Sequence, residues 1–248
     1  MCDQVCIIIP IYKNTIDLQT QAALKHNLKM AGKVPCYFVA PQKLKSRFYD
    51  DHFGRIPILK FPDKYFKNAK TYNKLMLMPS FYKCFDSYRY ICICQTDALL
   101  LRNVDYLLDL TRKGFDYWGA PWYPDHRIAL YKFHADFGRL FGGRFFKKYA
   151  ICVGNGGLSL RHVKKTIQLL RRHPLLRRIW NQNEDYFFAL SGTYLDSQYL
   201  IAPRHMAQRF SLETNMKEVL ENGGTPPFGV HAWKKFYPQL LERTISDE

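Results

Sequence analysis

Short apolar runs alternate with segments whose apolar residues recur every three or four positions, and this rhythm holds over the first hundred residues. Residues 5–10 are an apolar run of strand composition, and Ile11, Tyr12, Lys13 and Asn14 leave its carboxyl end. Ile16, Leu24, Leu28 and Ala31 then follow at near-helical spacing until Gly32, a natural helix stop. Residues 36–39 predict a second strand and 44–53 a helix. Residues 56–61 predict a third strand, in which Pro57 indicates an edge position or a short element. Residues 71–78 have helical composition and lead through Pro79 and a short helix around Tyr82 to the run 90–94, a strand buried on both faces. Strands alternating with helices predict an α/β fold, a mostly parallel, doubly wound sheet of Rossmann type flanked by helices.

Beyond that strand the pattern predicts a short helix at 104–110 and a strand at 115–120. Residues 123–149 break the alternation: Tyr131, Phe133, Phe137, Leu140, Phe141, Phe145 and Phe146 are mixed with basic residues and glycines. This stretch reads as a basic, aromatic, helical insertion that either completes the core or forms an amphipathic surface. Gly154-Asn155-Gly156-Gly157 precedes a strand at 158–161, where absent side chains admit a ligand or a second main chain. A helix at 163–172 is followed by Asn183-Glu184-Asp185 opening the apolar stretch 186–190. The expected organisation is one domain over 1–248, with a nucleotide-binding half (1–122), the insertion (123–150) and an acceptor-side half (151–248).

Composition narrows the picture. Hydrophobic residues make up 47% and aromatics 16%, which suits a folded chain, and no window has the run of about 18 apolar residues that a membrane span needs. The N-terminus lacks a basic leader, so a cytoplasmic protein is expected. The seven cysteines include no CxxC pair and read as reduced thiols rather than as a disulfide or zinc framework. The formal net charge is +16, and residues 131–178 hold twelve Lys/Arg against one acid, Asp136. Such clustering implies an anionic partner: a membrane surface, a nucleotide diphosphate or a nucleic acid.

The candidate chemistry sits where the pattern places loops. Gln95-Thr96-Asp97 ends the most buried strand, the edge from which open α/β sheets present ligand-binding groups. Asp97 and His231, the latter within Pro226-Pro227-Phe228-Gly229-Val230-His231-Ala232-Trp233, could ligate a divalent cation together with a diphosphate. A separate carboxylate, Asp185 or Glu184, could act as base toward an acceptor hydroxyl. That set describes sugar transfer from a nucleotide donor.

In the order QTD, GNGGLSLR, NED and PFGVHAW, the chain resembles glycosyltransferases of the GT-A fold, and within them a bacterial group associated with surface polysaccharides. The resemblance implies transfer of a hexose from a nucleotide diphosphate sugar, UDP-linked by expectation, to a glycan or lipid-linked acceptor. It makes Asp97 and His231 the metal ligands, for Mn²⁺ or Mg²⁺, and Asp185 the base of an inverting reaction with Glu184 as fallback. Gln95 departs from the acidic triplet of such enzymes; it can hydrogen-bond a ribose but brings no charge. Pro10, Ile11, Tyr12, Asn14, Gln95 and Thr96 would hold the nucleoside, Lys74 the phosphates, and Gly156 and Gly157 the donor. Trp118, Trp122 and Asn155 would shape the sugar pocket. Residues 72–75 also resemble part of some retaining GT-A enzymes, leaving the stereochemistry open. The basic segment 131–178 would keep the enzyme on the inner face of the cytoplasmic membrane, with no nucleic acid expected. A nucleic-acid-binding protein and a glycan-binding module without chemistry are the other two readings.

Overall fold

The computed structural model describes residues 3–129 and 148–246. Strand β1 (Asp3–Pro10) opens the chain and helix α1 (Leu18–Ala31) follows, capped by Asp17, whose carboxylate accepts from the Thr20 amide, and stopped at Gly32. Next come β2 (Cys36–Pro41), α2 (Arg47–Phe53), β3 (Ile58–Phe61), α3 (Ala69–Met76), α4 (Pro79–Lys83) and β4 (Tyr88–Cys94). These pack as a sheet in the order β3-β2-β1-β4, parallel throughout, with β3 at its edge where Pro57 placed it. The apolar runs of β1 and β4 are buried on both faces. Cys6, Ile8, Ile91 and Ile93 face one core, and Ile7, Ile9, Cys92 and Cys94 the other. Each described cysteine is a free thiol.

The second half closes the sheet from the other side. It comprises β5 (Ala98–Leu100), α5 (Val104–Thr111), β6 (Tyr117–Trp118), β7 (Ala120–Ala129), β8 (Lys148–Gly154), β9 (Leu158–His162) and α6 (Val163–Arg172). Strand β9 runs antiparallel to β4 and pairs Leu158 with Cys94, and β6 adds outside it. The insertion expected at 123–150 is flanked by strand, not helix. β7 and β8 pair antiparallel with a register shift between Pro121 and His126. The aromatic positions from Tyr131 to Phe146 lie outside the described residues.

The chain continues through α7 (Pro174–Ile179), α8 (Glu184–Leu190), α9 (Arg204–Phe210), β10 (Ser211–Leu212), α10 (Met216–Glu221), β11 (Gly229–His231), α11 (Trp233–Phe236) and α12 (Leu240–Ser246). Strands β10, β11 and β5 form a small second sheet, with β11 antiparallel to β5 and parallel to β10. The buried Asn27 of α1 fixes this sheet to the larger one. Its side chain accepts from the Leu100 amide and donates to the Ala98 carbonyl, and His26 meets the Leu100 carbonyl at 2.8 Å. The residue after β4 and the last residue of β11 are thereby held at one end of the main sheet.

Candidate active site

Three pieces of backbone meet at the carboxyl end of β4. Because Leu158 pairs with Cys94, the glycine turn before β9 lies against the triplet after β4, and the Gln95 amide donates to the Gly157 carbonyl at 2.8 Å. Because His231 pairs with Ala98 in the small sheet, its side chain arrives beside Asp97, with Nε2 3.3 Å from Oδ1. The parallel pairing of Leu212 with Val230 carries the next residue, Glu213, to the other face of the imidazole, 3.3 Å from Nδ1. A row Glu213, His231, Asp97 results from one strand register.

Each glycine of the turn makes room for a particular side chain. A Cβ on Gly154 would fall 1.9 Å from the Trp122 ring, one on Gly156 2.0 Å from Glu184 Oε1, and one on Gly157 2.0 Å from His231 Nε2. Since consecutive Cα atoms are about 3.8 Å apart, adjacent glycines bring the acidic pair and the histidine to one place. Asn155, between Gly154 and Gly156, adopts φ 72°, the left-handed conformation that Asn tolerates. Its amide donates to Asp185 Oδ2 at 3.0 Å, and its side-chain oxygen accepts from the Gly157 amide at 3.1 Å.

Burial and charge divide the two acids at the start of α8. Glu184 Oε1 accepts from Arg161 Nη2 at 2.8 Å in an almost fully buried pair. Arg161 also donates to Tyr82 and Ser159, and lies over the rings of Phe188 and Tyr117. A buried charge is tolerated only when compensated in this way. Among the described residues Asp185 has no cation of its own. Burial first, and the neighbouring Glu184 charge second, push its carboxyl up to about 7, against the backbone amides of Asn155 and Tyr186 that hydrogen-bond it.

The opposite signs hold at the other end. Burial would lower His231, but its hydrogen bonds and proximity to Asp97 and Glu213 outweigh that and raise it to about 9. For Asp97, burial raises and the imidazole lowers, leaving the carboxyl below its usual value, with Lys234 adding to the pull. Among the described residues no three His, Cys, Asp or Glu side chains converge as a protein-only metal centre. The Asp97 and His231 pair nonetheless fits a divalent cation that takes its remaining ligands from a substrate. Nε2 is buried and faces Asp97 Oδ1 at 3.3 Å with no other partner among the described residues, while Nδ1 is held by Glu213.

A groove of about 200 Å³ adjoins this row at the end of β1. Pro10, Ile11, Tyr12, Ile16, Asp17 and Thr96 line it, so the two loops flanking the β1/β4 boundary form its walls. Lys234 lies at its rim, with Nζ 2.7 Å from Asp17 Oδ1 and 2.6 Å from Thr20 Oγ1.

Several expected site residues are placed elsewhere. Trp118 is fully buried between Phe115 and Phe210, so its ring belongs to the core and cannot serve as a sugar platform. Trp122 is buried against Gly154 and edge-on to Tyr186, supporting the turn from behind. Asn14 turns from the groove to accept from the Lys45 amide. Lys74 is exposed on α3, whereas its neighbour Asn73 is buried and donates to the Asn183 side chain just before α8. Arg161, counted with the basic surface in the sequence, is interior. Arg161, Glu213, Asn73 and Lys234 were not singled out as site residues by sequence reasoning. The available signal was an arginine inside an apolar strand, which requires an acid opposite it.

Residues 55–231 match the family described as protein of unknown function DUF5672. The chain belongs to that family. No curated protein matches this DUF5672 member in sequence. Its fold is that of GT-A glycosyltransferases. Mouse xyloside xylosyltransferase 1 is 11% identical, with 92% of this chain and 97% of that one covered and a TM-score of 0.53. The galactosyltransferase LgtC, solved with donor and acceptor sugar analogues, is 12% identical over 97% of this chain and 94% of its own, at a TM-score of 0.55. The bifunctional glycosyltransferase WbbM is 10% identical at a TM-score of 0.56, and this DUF5672 chain spans half of it.

Proposed function

We propose that this protein is a glycosyltransferase that moves a hexose from a nucleotide diphosphate sugar, UDP-linked by our reading, to a hydroxyl of a glycan or lipid-linked saccharide. The observation that carries the proposal is the meeting of Asp97, His231 and Asp185 around the turn 154–157, beside a groove at the β1/β4 boundary. At that boundary the strand order of an open α/β sheet reverses, and loops there form a nucleotide crevice.

In this reading the nucleoside enters the groove between Ile11, Tyr12 and Thr96, and Gln95 hydrogen-bonds a ribose hydroxyl. Lys234 gives the diphosphate a cation at the rim. Asp97 and His231 would hold Mn²⁺ or Mg²⁺, which when bound neutralises charge on the departing diphosphate. Ligation needs a neutral imidazole, so the Nε2 proton that Asp97 and Glu213 favour has to leave, and Glu213 would keep Nδ1–H oriented away from the site.

On the acceptor side, Asp185 is the base. Glu184 is committed to Arg161, whereas burial and the Glu184 charge raise the Asp185 carboxyl, so that once ionised it can take a hydroxyl proton as that oxygen attacks the anomeric carbon. Attack opposite the leaving group inverts configuration. Thermal shifts with UDP-, GDP-, CMP- and dTDP-sugars, each with and without Mn²⁺, test the donor assignment, because a ligand stabilises according to its concentration relative to its Kd. The UDP-sugars are expected to raise Tm most, and more with Mn²⁺; no shift with any member would refute the reading.

A further inference from the structure

Helix α7 docks on the protein through the half-buried Leu176 and through Arg177, which donates to the Leu77 carbonyl at 3.4 Å, and turns its other aliphatic residues outward. Leu175 is 75% exposed and Ile179 53% exposed. Four positions apart on a helix, they lie one above the other on a single face. Single exposed apolar residues are ordinary, but these two lie within the cationic stretch 162–183, which contains no Asp or Glu. Lys164, Arg171 and Arg178 are exposed, and among the described residues no acid pairs with them. Arg172 is the exception, held by Asp196 at 2.6 Å.

We infer that this face of α7 is a docking surface for an anionic lipid bilayer. Aliphatic side chains enter the boundary between headgroups and acyl chains while guanidinium groups above them meet headgroup phosphates. The face carries no aromatic ring on which a nucleobase could stack, which disfavours nucleic acid. A second copy would set like charges against each other, which disfavours self-association. The surface is also coupled to the candidate site. Trp180, directly after α7, donates its indole N–H to the Asn183 carbonyl at 2.9 Å, one residue before Glu184. Given the sugar-transfer reading, on which this last point alone rests, bilayer contact would hold the acid-bearing end of α8 where a lipid-linked acceptor is presented.

Co-sedimentation with phosphatidylcholine vesicles, with and without phosphatidylserine, tests the inference. Wild type is expected to bind only the anionic vesicles and to be released by salt. Leu175→Ser/Ile179→Ser should weaken binding more than tenfold with an unchanged circular dichroism spectrum. Arg171→Gln/Arg178→Gln should weaken it roughly thirtyfold, as expected for two charges near the membrane. Wild type left in the supernatant, equal binding to both vesicle types, or undiminished binding by the aliphatic variant overturns the inference. So does a dimer that the aliphatic variant dissociates, or an oligonucleotide that displaces the protein from vesicles. A chain that binds anionic vesicles through α7 yet takes up no nucleotide sugar keeps this inference and loses the sugar-transfer reading.

Discussion

Two adjacent carboxylates at the start of α8 have been given different work by their neighbours. Glu184 faces a buried guanidinium, and Asp185 faces two backbone amides in an apolar setting. Glu184→Gln therefore leaves Arg161 as an uncompensated buried charge and should cost about 3–5 kcal/mol of unfolding free energy, read by chemical denaturation. Asp185→Asn removes the base while leaving that ion pair intact, so the variant should fold and bind nucleotide but not transfer sugar. The pH dependence follows from the raised carboxyl. Its folded-state value, about 7, lies above the ordinary 3.8, so the folded protein holds this proton more tightly than the unfolded chain. The resulting stabilisation is complete below about pH 4 and is lost as pH rises through 7, whereas a base must be ionised, so kcat/KM should climb across that same interval and level off above it. A pH-independent rate between 5 and 8 would remove Asp185 from the role.

At the scale of elements, the site depends on a two-residue strand and a glycine turn. Ser211-Leu212 sets Glu213 beside His231, and without it the imidazole would be held only through Asp97. Glu213→Gln should lower Mn²⁺ affinity by about 10- to 100-fold, measured by electron paramagnetic resonance, with little loss of stability. Gly157→Ala drives a methyl into the imidazole and should weaken Mn²⁺ binding further, with loss of protection at the end of β11 in hydrogen exchange. The long elements were legible in the sequence because their periodicity runs over many residues. The run 90–94 falls in the buried strand β4 and Asp97 follows its carboxyl end, and the cluster of glycines marked a close approach. What approaches is the protein's own Trp122, Glu184 and His231. Glu213 was not legible as a partner of His231, because two residues show no periodicity and the register that matters joins segments eighteen positions apart. Trp118 misled because an aromatic ring serves a core as well as a sugar pocket, and only packing tells them apart.

For the molecule as a whole, the parallel half presents a groove and the second half presents the acids, the histidine and a cationic helix face. Net charge alone could not divide that basic stretch: Arg161 lies inside, Arg172 is paired, and Arg171 and Arg178 face solvent. Asn27 and His26 tie β5 to α1, so the two sheets are joined where the site forms. Asn27→Leu should cost about 1–3 kcal/mol for each backbone group it orphans, seen as a fall in the denaturation midpoint. The most direct measurement is a calorimetric titration of UDP into wild type and Asp97→Ala, each in Mn²⁺ and in EDTA. The account predicts binding to wild type that weakens at least tenfold when the metal is removed or the carboxylate is lost. Equal binding under all four conditions, or none under any, would contradict it.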